Sequence, residues 1–250
     1  MKFVRFKKDH MISYGAIGEG YVQRIKGDIF KKYEITNELY KINEVKLLTP
    51  CVPSRIIAVG LNYKDHIIEM KHNMPEEPVI FMKASTAVVG PEARIVLPQN
   101  VGRIEYEAEV GLVIGKPVKN VEPETALDYI LGATCFNDVT ARELQNKDGQ
   151  WTRAKSYDTF APIGPCIASG LDYNNIDIEL ILNGEVKQKS NTSNCLFSAA
   201  QILSFISKIM PMFPGDIIAT GTPSGVGAIK KGDIVEVKLS GVGTLRNYVE

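Results

Sequence analysis

Three glutamates stand two positions apart in the stretch RIEYEAEVGLVIG, residues 103 to 115. They are Glu105, Glu107 and Glu109. Because side chains alternate between the two faces of a strand, this spacing predicts all three on one face. Like charges beside an apolar core repel one another and resist burial. A bound cation is the simplest way to stabilise such a row.

A third carboxylate for that ion is offered by Asp138, at the end of the strand-like run ILGATCFND. Together with Glu107 and Glu109 it forms an all-oxygen set without His or Cys, which suits a hard ion: Mg²⁺, with Mn²⁺ or Ca²⁺ as alternatives. Three carboxylates leave about half of an octahedral shell open, as a catalytic ion needs. The spacing leaves one alternative open, a solvent-exposed strand face with ordinary acidic residues.

Four other stretches carry residue types that do chemistry. His66 and Glu69 stand at i and i+3 in GLNYKDHIIEMK, where a helix makes them neighbours. A carboxylate beside an imidazole fixes its tautomer and prepares it to take a proton from water. Lys83 follows an apolar run in FMKAST, and Lys155 lies in the loop-like stretch WTRAKSYDTFAPIGP, which ends in a stiff proline-containing turn. Thr222 belongs to the Gly-rich loop of PGDIIATGTPSGVG, whose N–H groups can hold a carboxylate. Taken alone, a His–Glu pair such as His66 and Glu69 is also typical of a protein surface, and single lysines such as Lys83 and Lys155 are typically solvated.

The elements that must position these residues are mostly short strands. Strand-like runs punctuated by Gly, Pro, Asn or Asp follow one another after Arg55. Three segments have a helical pattern, namely YKDHIIEM, VEPETALDYI and SAAQILSFISKI, the last with Ser198 as its N-cap. We therefore predict a mixed α/β, mostly β, domain over residues 54–250. Residues 1–50 predict a small β-rich N-terminal domain that includes a hairpin at GAIGEG.

Composition excludes several classes of protein. Acidic and basic residues balance at 29 each, so we expect no nucleic-acid partner. There is no run of the ~18 apolar residues that span a bilayer, and no apolar signal region follows the first residues, so we expect no membrane association. The four cysteines are scattered without a C-x-x-C pair, which is typical of reduced thiols in a cytoplasmic protein.

Eight stretches, in this order, resemble the fumarylacetoacetate hydrolase family: GLNYKDH, FMKAST, YEAEVGLVIGK, NDVTARELQ, RAKSYDTFAPIGP, NGEVKQ, PGDIIATGTPSGVG and GTLRN. The resemblance runs from about Arg55 to the C-terminus. It implies a mixed β-roll, usually homodimeric, with the active site at the mouth of the roll. Since only about 50 residues precede the shared region and no additional aspartate ligand is evident, the chain resembles the family's shorter branch.

The resemblance also implies roles for particular residues. It places the metal on Glu107, Glu109 and Asp138, and the water-activating pair of a mobile lid on His66 and Glu69. The lid is expected from about Lys64 to Pro78. Lys155 matches the active-site lysine, and the substrate-side residues are expected to be Lys83, Arg142, Gln145 and Thr222. Glu105 matches no family role, so we expect it to be structural and its replacement by Gln to be mild.

The reactions of the short branch share a 2-oxo acid substrate and a metal-stabilised enolate. The resemblance implies C–C hydrolysis of an acylpyruvate-type substrate, or decarboxylation. The alternative is an isomerase of 2-hydroxyhepta-2,4-diene-1,7-dioate or 5-carboxymethyl-2-hydroxymuconate type, or an oxaloacetate tautomerase. A non-catalytic metal-binding member is a further alternative. The expected partners are thus a small 2-oxo acid and a second copy of the chain.

Overall fold

The structure, a computed structural model, describes residues 1–69 and 73–250. Its strands are β1 Lys2–Lys8, β2 Met11–Ile17, β3 Tyr21–Gly27, β4 Tyr33–Lys41, β5 Lys46–Leu47, β6 Ile56–Gly60, β7 Val79–Lys83, β8 Val88–Val89, β9 Arg94–Ile95, β10 Ile104–Tyr106, β11 Ala108–Ile114, β12 Ile130–Asn137, β13 Thr140–Ala141, β14 Ala161–Ala168, β15 Asp177–Leu182, β16 Glu185–Asn191, β17 Ile217–Ala219, β18 Gly227–Ala228, β19 Ile234–Leu239 and β20 Gly243–Val249. The helices are α1 Lys64–Glu69, α2 Pro123–Ala126, α3 Arg142–Asp148, α4 Thr152–Lys155 and α5 Ala199–Ile209. The prediction of a mixed, mostly β fold is confirmed.

Three sheets make up the described part of the chain. A 12-stranded sheet follows the order β4-β3-β2-β1-β14-β12-β11-β17-β6-β7, with β5 added on β1 and β8 on β14. A five-stranded sheet has the order β16-β15-β19-β20-β9, and a three-stranded sheet the order β13-β10-β18. The predicted hairpin at GAIGEG is confirmed, since β2 and β3 pair antiparallel around it.

The division of the chain into 1–50 and 54–250 stays a prediction. In the structure β1 pairs antiparallel with β14, placing Lys2 opposite Ala168 and Phe3 opposite Ile167. The 12-stranded sheet therefore runs through both predicted parts, and backbone hydrogen bonds join them side by side.

The centre of the large sheet is buried on both faces. Along β11 every residue from Ala108 to Ile114 is buried; Ala108, Val110, Leu112 and Ile114 enter one apolar cluster, and Val113 enters a second one. The cluster on one face also holds residues of the five-stranded sheet and of α5, including Leu180, Val237 and Ile206. A strand covered on both faces carries a near-continuous apolar run, which explains the text VGLVI.

One predicted helix is confirmed, a second is only partly helical, and one predicted turn is absent. α5 begins at its predicted N-cap, where the Ser198 hydroxyl accepts the N–H of Gln201 at 3.3 Å and the Gln201 side chain accepts the Ser198 N–H at 2.9 Å. The VEPETALDYI helix is confirmed only as α2 followed by a 3₁₀ turn. The predicted proline-containing turn is wrong, because its residues form β14. Pro165 is tolerated there since the β12–β14 ladder is irregular beside it.

The segment around Lys155 was also predicted wrongly. Its loop-like text forms the short helix α4, and α3 just before it had no sequence prediction. Of the predicted lid, residues 64–69 form α1, whereas residues 70–72 lie outside the described part. Among the described residues, no helix has the length and apolar character to cross a bilayer.

The side chain of Asn62 connects two loops, one after β6 and one after β17. Its side-chain amide donates to the carbonyls of Thr220 at 2.7 Å and Phe197 at 3.2 Å, and its Oδ1 accepts the Phe197 N–H at 2.9 Å. The residue is 1% exposed. One loop follows β6 and leads into α1, and the other follows β17, so this side chain holds both in register with α5.

We expect Asn62→Ala to lower the free energy of unfolding by about 3 kcal/mol, since buried backbone groups lose partners at roughly 1 to 3 kcal/mol each. Urea unfolding measures the change. Asn194→Ala is the matched control, because that asparagine is exposed and donates to the Ser190 hydroxyl at 3.1 Å. Equal losses in the two variants would show that the Asn62 contacts do not hold the loops.

Candidate active site

Strand pairing brings three acidic side chains to one point. β11 starts directly after Glu107, and β12 ends directly before Asp138. The two strands pair antiparallel with Ala108 opposite Asn137, so the Asp138 N–H donates to the Glu107 carbonyl at 2.9 Å. Carboxylate oxygens of Glu107, Glu109 and Asp138 all lie within 4.8 Å of one another, and all three residues are buried. The solvent-exposed alternative is therefore wrong.

The three glutamates do not share one uninterrupted strand. Glu105 belongs to β10 in the three-stranded sheet, whereas Glu109 belongs to β11 in the 12-stranded sheet. Glu107 lies between the two strands, where its N–H donates to the Asn137 side chain at 3.0 Å. The prediction of a single strand face is wrong because the chain changes sheets at Glu107.

Buried cations surround two of the three carboxylates. The Lys155 Nζ donates to Glu107 Oε2 at 2.8 Å and to Asp138 Oδ2 at 2.6 Å. Lys83 contacts the other Asp138 oxygen, and Arg142 contacts the other Glu107 oxygen. Glu109 is different: within the described residues its hydrogen-bond donor is the backbone N–H of Gly221, at 2.8 Å.

The pKa values of the two glutamates shift in opposite directions for this reason. Burial raises the pKa of Glu109, the charges of Asp138 and Glu107 raise it further, and it lies well above its ordinary value. Burial also opposes ionisation of Glu107, but Lys155 and Arg142 outweigh it and hold the pKa of Glu107 below its ordinary value. One buried carboxylate of the three thus has no adequate cationic partner among the side chains that the structure describes.

A hard divalent cation fits this donor set. Three carboxylates converge within the reach of one ion, the set contains only oxygen, and Glu109 requires positive charge to ionise. The residues that would hold the ion are Glu107, Glu109 and Asp138. Lys155 already lies against two of these carboxylates and would share them with it.

A cavity of about 260 Å³ opens beside the carboxylates. One wall is apolar, since Phe81 and Trp151 pack edge to face with ring centroids 5.1 Å apart. The other wall is polar and includes the amide groups of Gln145 and Asn146. An enclosed, half-apolar cavity with convergent polar groups is the usual form of a small-molecule site.

His66 lines this cavity, and the carboxylate that holds its imidazole lies outside the cavity. Its Nδ1 is 3.2 Å from Glu69 Oε2, and Glu69 in turn accepts the Gly225 N–H at 3.2 Å. On the same helix, Asp65 accepts the Ser224 hydroxyl at 2.9 Å. The Gly-rich loop therefore docks α1 through two carboxylates, and with its proton on Nδ1 the imidazole directs Nε2 away from Glu69.

The structure brings most of the sequence-predicted residues to the cavity wall: His66, Glu107, Glu109, Asp138, Arg142, Gln145, Lys155 and Thr222. Glu69 and Lys83 stand behind this wall. Lys83 was predicted to contact substrate, but its side chain is fully buried and contacts Asp138 and the Val139 carbonyl, the latter at 3.1 Å. This position suits it to hold Asp138 in place. Burial lowers the pKa of Lys83, and the charge of Asp138 opposes that shift.

Sequence reasoning missed three residues of this region. Gln188 is buried and bridges two walls, since its Oε1 accepts the Ala108 N–H at 2.9 Å and its Nε2 donates to the Thr222 hydroxyl at 2.9 Å. Phe81 and Trp151 form the apolar wall, and the Lys155 ammonium lies 5.1 Å from the Phe81 ring centroid. Trp151 is the single tryptophan of the chain and lies in a segment without strand periodicity. This feature of the sequence could have identified it as a candidate site residue.

Family comparison agrees with this architecture. The family described as fumarylacetoacetate (FAA) hydrolase C-terminal matches residues 55–250, and one described as Rv2993c-like, N-terminal, matches residues 1–50. A protein of Archaeoglobus fulgidus is 53% identical over 238 residues, covering 94% of this chain and 93% of its own length. The mitochondrial oxaloacetate tautomerase fahd2 of Xenopus laevis is 35% identical over 246 residues, covering 93% of this chain and 76% of its own.

A solved structure shows the same fold. The 2-hydroxyhepta-2,4-diene-1,7-dioate isomerase of Mycobacterium marinum superimposes with a TM-score of 0.93 at 39% sequence identity, covering all of this chain and 98% of that one. The expected fold resemblance is thereby confirmed. The chain belongs to the fumarylacetoacetate hydrolase family.

Proposed function

We propose that the protein is a divalent-metal-dependent enzyme that forms the enolate of a short 2-oxo acid and moves a proton between its carbon and its oxygen. The observation that carries this proposal is the buried set Glu107, Glu109 and Asp138 at a cavity that also exposes Lys155 and His66. Relatives named as an oxaloacetate tautomerase and a dioate isomerase support proton transfer as the reaction.

The charge of the site supports an anionic ligand together with a divalent ion. Four buried carboxylates, on Glu105, Glu107, Glu109 and Asp138, face three largely buried cations, on Lys83, Lys155 and Arg142. Among these buried groups one negative charge is in excess; the half-exposed Arg103, which also contacts Glu105, is not counted. A divalent ion turns this into one positive charge, which matches one carboxylate of a 2-oxo acid.

The chain's own residues have distinct tasks in this proposal. A bound divalent ion, Mg²⁺ being our choice, supplies positive charge that stabilises the carboxylate and the enolate oxygen of a 2-oxo acid. The Lys155 ammonium donates to the same developing negative charge from the cavity wall. Burial alone would lower the pKa of Lys155, but Asp138 and Glu107 outweigh it, so the pKa is raised and the ammonium stays charged.

His66 exchanges the proton with the substrate. Its Nδ1 is held by Glu69, so Nε2 is the nitrogen available at the cavity. Phe81 and Trp151 exclude water from the opposite wall, which strengthens the electrostatic interactions inside. Arg142, Gln145 and Thr222 offer polar contacts to the ligand.

A second candidate reaction is C–C hydrolysis of an acylpyruvate-type substrate, or decarboxylation. The contact between His66 and Glu69 favours the hydrolysis, because such a pair is also suited to activate water. The same enolate serves both reactions. The 2-oxo acid ligand, the homodimer, the cytoplasmic location and the lack of nucleic-acid and membrane partners stay predictions.

The pKa values of Glu109 and Glu107 shift in opposite directions. Replacing these two residues should therefore change the stability of the metal-free protein in opposite directions. The raised pKa of Glu109 means that its ionised form opposes folding at neutral pH, so Glu109→Gln should raise the melting temperature. The lowered pKa of Glu107 means that its ionised form favours folding, so Glu107→Gln should lower it. Differential scanning calorimetry after EDTA treatment measures both changes.

Adding Mg²⁺ completes this test. At a hundredfold excess over Kd it should stabilise the unsubstituted protein by about 2.7 kcal/mol, on the order of 5 to 10 °C for a chain of this size. Both variants should lose most of this response, whereas the exposed Glu124→Gln control should keep it. A full Mg²⁺ response in Glu109→Gln would remove Glu109 from the proposed ligands.

His66→Ala tests the proposed chemistry. Loss of a general acid or base typically lowers the rate by about 10²- to 10⁴-fold, and we expect this loss in the Mg²⁺-dependent conversion of enol to keto oxaloacetate. The absorbance of the enol measures that rate. His10→Ala is the matched control, because His10 is exposed in the turn between β1 and β2.

Acylpyruvate cleavage and oxaloacetate decarboxylation are measured in the same preparations, with Mg²⁺ and with EDTA. Cleavage without tautomerisation would favour the second candidate. Activity that persists in EDTA would contradict metal dependence. If no 2-oxo acid of the panel reacts under either condition, the non-catalytic alternative replaces this proposal.

A further inference from the structure

A row of alternating charges leads from the surface to the proposed metal ligands. Arg103 contacts Glu105 Oε1 at 2.5 Å, Glu105 Oε2 accepts the Arg142 Nε–H at 2.6 Å, and Arg142 contacts Glu107. The exposed fraction of the side chain is 56% at Arg103, but 4% at Glu105 and 13% at Arg142. Glu105 is therefore a buried carboxylate outside the proposed set of metal ligands. It contacts Arg142, and Arg142 in turn contacts the proposed ligand Glu107.

Backbone pairing fixes the two ends of this contact. β10 and β13 are antiparallel, with Ile104 opposite Ala141, and the Arg142 N–H donates to the Arg103 carbonyl at 2.9 Å. Arg142 is also the first residue of α3. The position of its Cα relative to Glu105 is thus set by the ladder, independently of any ligand.

Each side-chain nitrogen of Arg142 has a different partner. Nε donates to Glu105, Nη1 to the Gln145 side chain and Nη2 to Glu107 Oε1. A guanidinium is a rigid plane, so three partners determine its orientation. Glu107 consequently receives one nitrogen of Arg142, while its Oε1 also accepts the Thr140 hydroxyl at 3.2 Å.

We infer that Glu105 is a positioning residue that, by holding Nε, keeps Arg142 from binding Glu107 side-on with both Nε and Nη2. A two-nitrogen arginine–carboxylate pair is the strong form of this contact. Such a pair would compete with a cation for both oxygens of Glu107. By holding Nε, Glu105 leaves Glu107 able to bind the divalent ion, a role beyond the mild structural one expected from the sequence. The inference rests on the metal site of the proposed function.

The test measures the Kd for Mn²⁺ on EDTA-treated protein by isothermal titration calorimetry, without an activity assay. Glu105→Met removes the charge and the acceptor oxygen, whereas Glu105→Gln removes only the charge. Loss of a residue that orients a metal ligand typically weakens metal binding by roughly 10- to 100-fold, and we expect a loss of about 10-fold or more in Glu105→Met. Glu105→Gln should recover part of this loss, because its amide oxygen still accepts from Nε.

The Arg142→Gln variant completes a double-mutant cycle with the Glu105 variants. If Glu105 acts through Arg142, replacing Glu105 in the Arg142→Gln background should change the Kd for Mn²⁺ far less than in the unsubstituted chain. Arg103→Gln is the control, since an exposed ion pair contributes little. Circular dichroism selects the folded variants, and if Glu105→Met does not fold, the cycle between Glu105→Gln and Arg142→Gln carries the test.

The inference alone would be overturned by equal losses in Glu105→Gln and Glu105→Met, or by a loss that persists in the Arg142→Gln background. Either would show that Glu105 acts only through its electric field at the ion. If the unsubstituted chain binds no Mn²⁺, the proposed function fails and the inference fails with it. Unchanged Mn²⁺ binding in folded Glu105→Met, with normal binding in the unsubstituted chain, would contradict the positioning role only.

Discussion

Burial of like charges is the constraint on which the site depends. Carboxylate oxygens of Glu107, Glu109 and Asp138 lie within 4.8 Å of one another on buried residues, where solvent screens their charges weakly. Lys83 and Lys155 compensate part of this charge, and both are fully buried themselves. Removing either partner of such a buried pair would leave an unpaired charge, so the five side chains are interdependent. What they leave uncompensated is the charge of Glu109, and this deficit suits the cluster to a cation.

The sheets supply the rigidity that such a cluster needs. Glu107 lies where the chain passes from the three-stranded to the 12-stranded sheet, so its backbone is held on both sides by strand ladders. Asp138 follows a strand that is paired along its full length with β11. Ligands at the ends of paired strands cannot move apart without breaking backbone hydrogen bonds, and this preorganises them for an ion. His66, on the short helix α1, is instead held by side-chain contacts to a loop.

Membership in the fumarylacetoacetate hydrolase family and the geometry agree on a common chemistry rather than on one reaction. The family includes relatives named as a tautomerase and as an isomerase, and the buried acidic set with Lys155 and His66 suits the enolate that those reactions share. In the proposed function the outcome depends on whether His66 transfers a proton to or from a substrate carbon, or takes a proton from a water that attacks an acyl group and releases the enolate. Phe81 and Trp151 give the cavity an apolar wall.

Local signals determined much of this protein. The convergence of Glu107 and Glu109, the His66–Glu69 spacing on a helix and the Ser198 cap depend on neighbouring residues, and the structure places each of these as the sequence predicted, although Glu105 lies on a different strand. The fold class followed from the same kind of local alternation. The order of motifs along the chain supplied the resemblance to the family, because that order is a property of the text itself.

Tertiary structure alone decided the contacts between segments far apart in sequence. The break of the acidic strand at Glu107 follows from which strands pair with β10 and β11. Lys83 contacts Asp138 and the Val139 carbonyl instead of lining the cavity, although Phe81 on the same strand β7 does line it. Arg142 is shared between Glu105 and Glu107 because β13 returns beside β10. A single sequence carries no local signal for such pairings, since each depends on the free energy of the whole packed sheet.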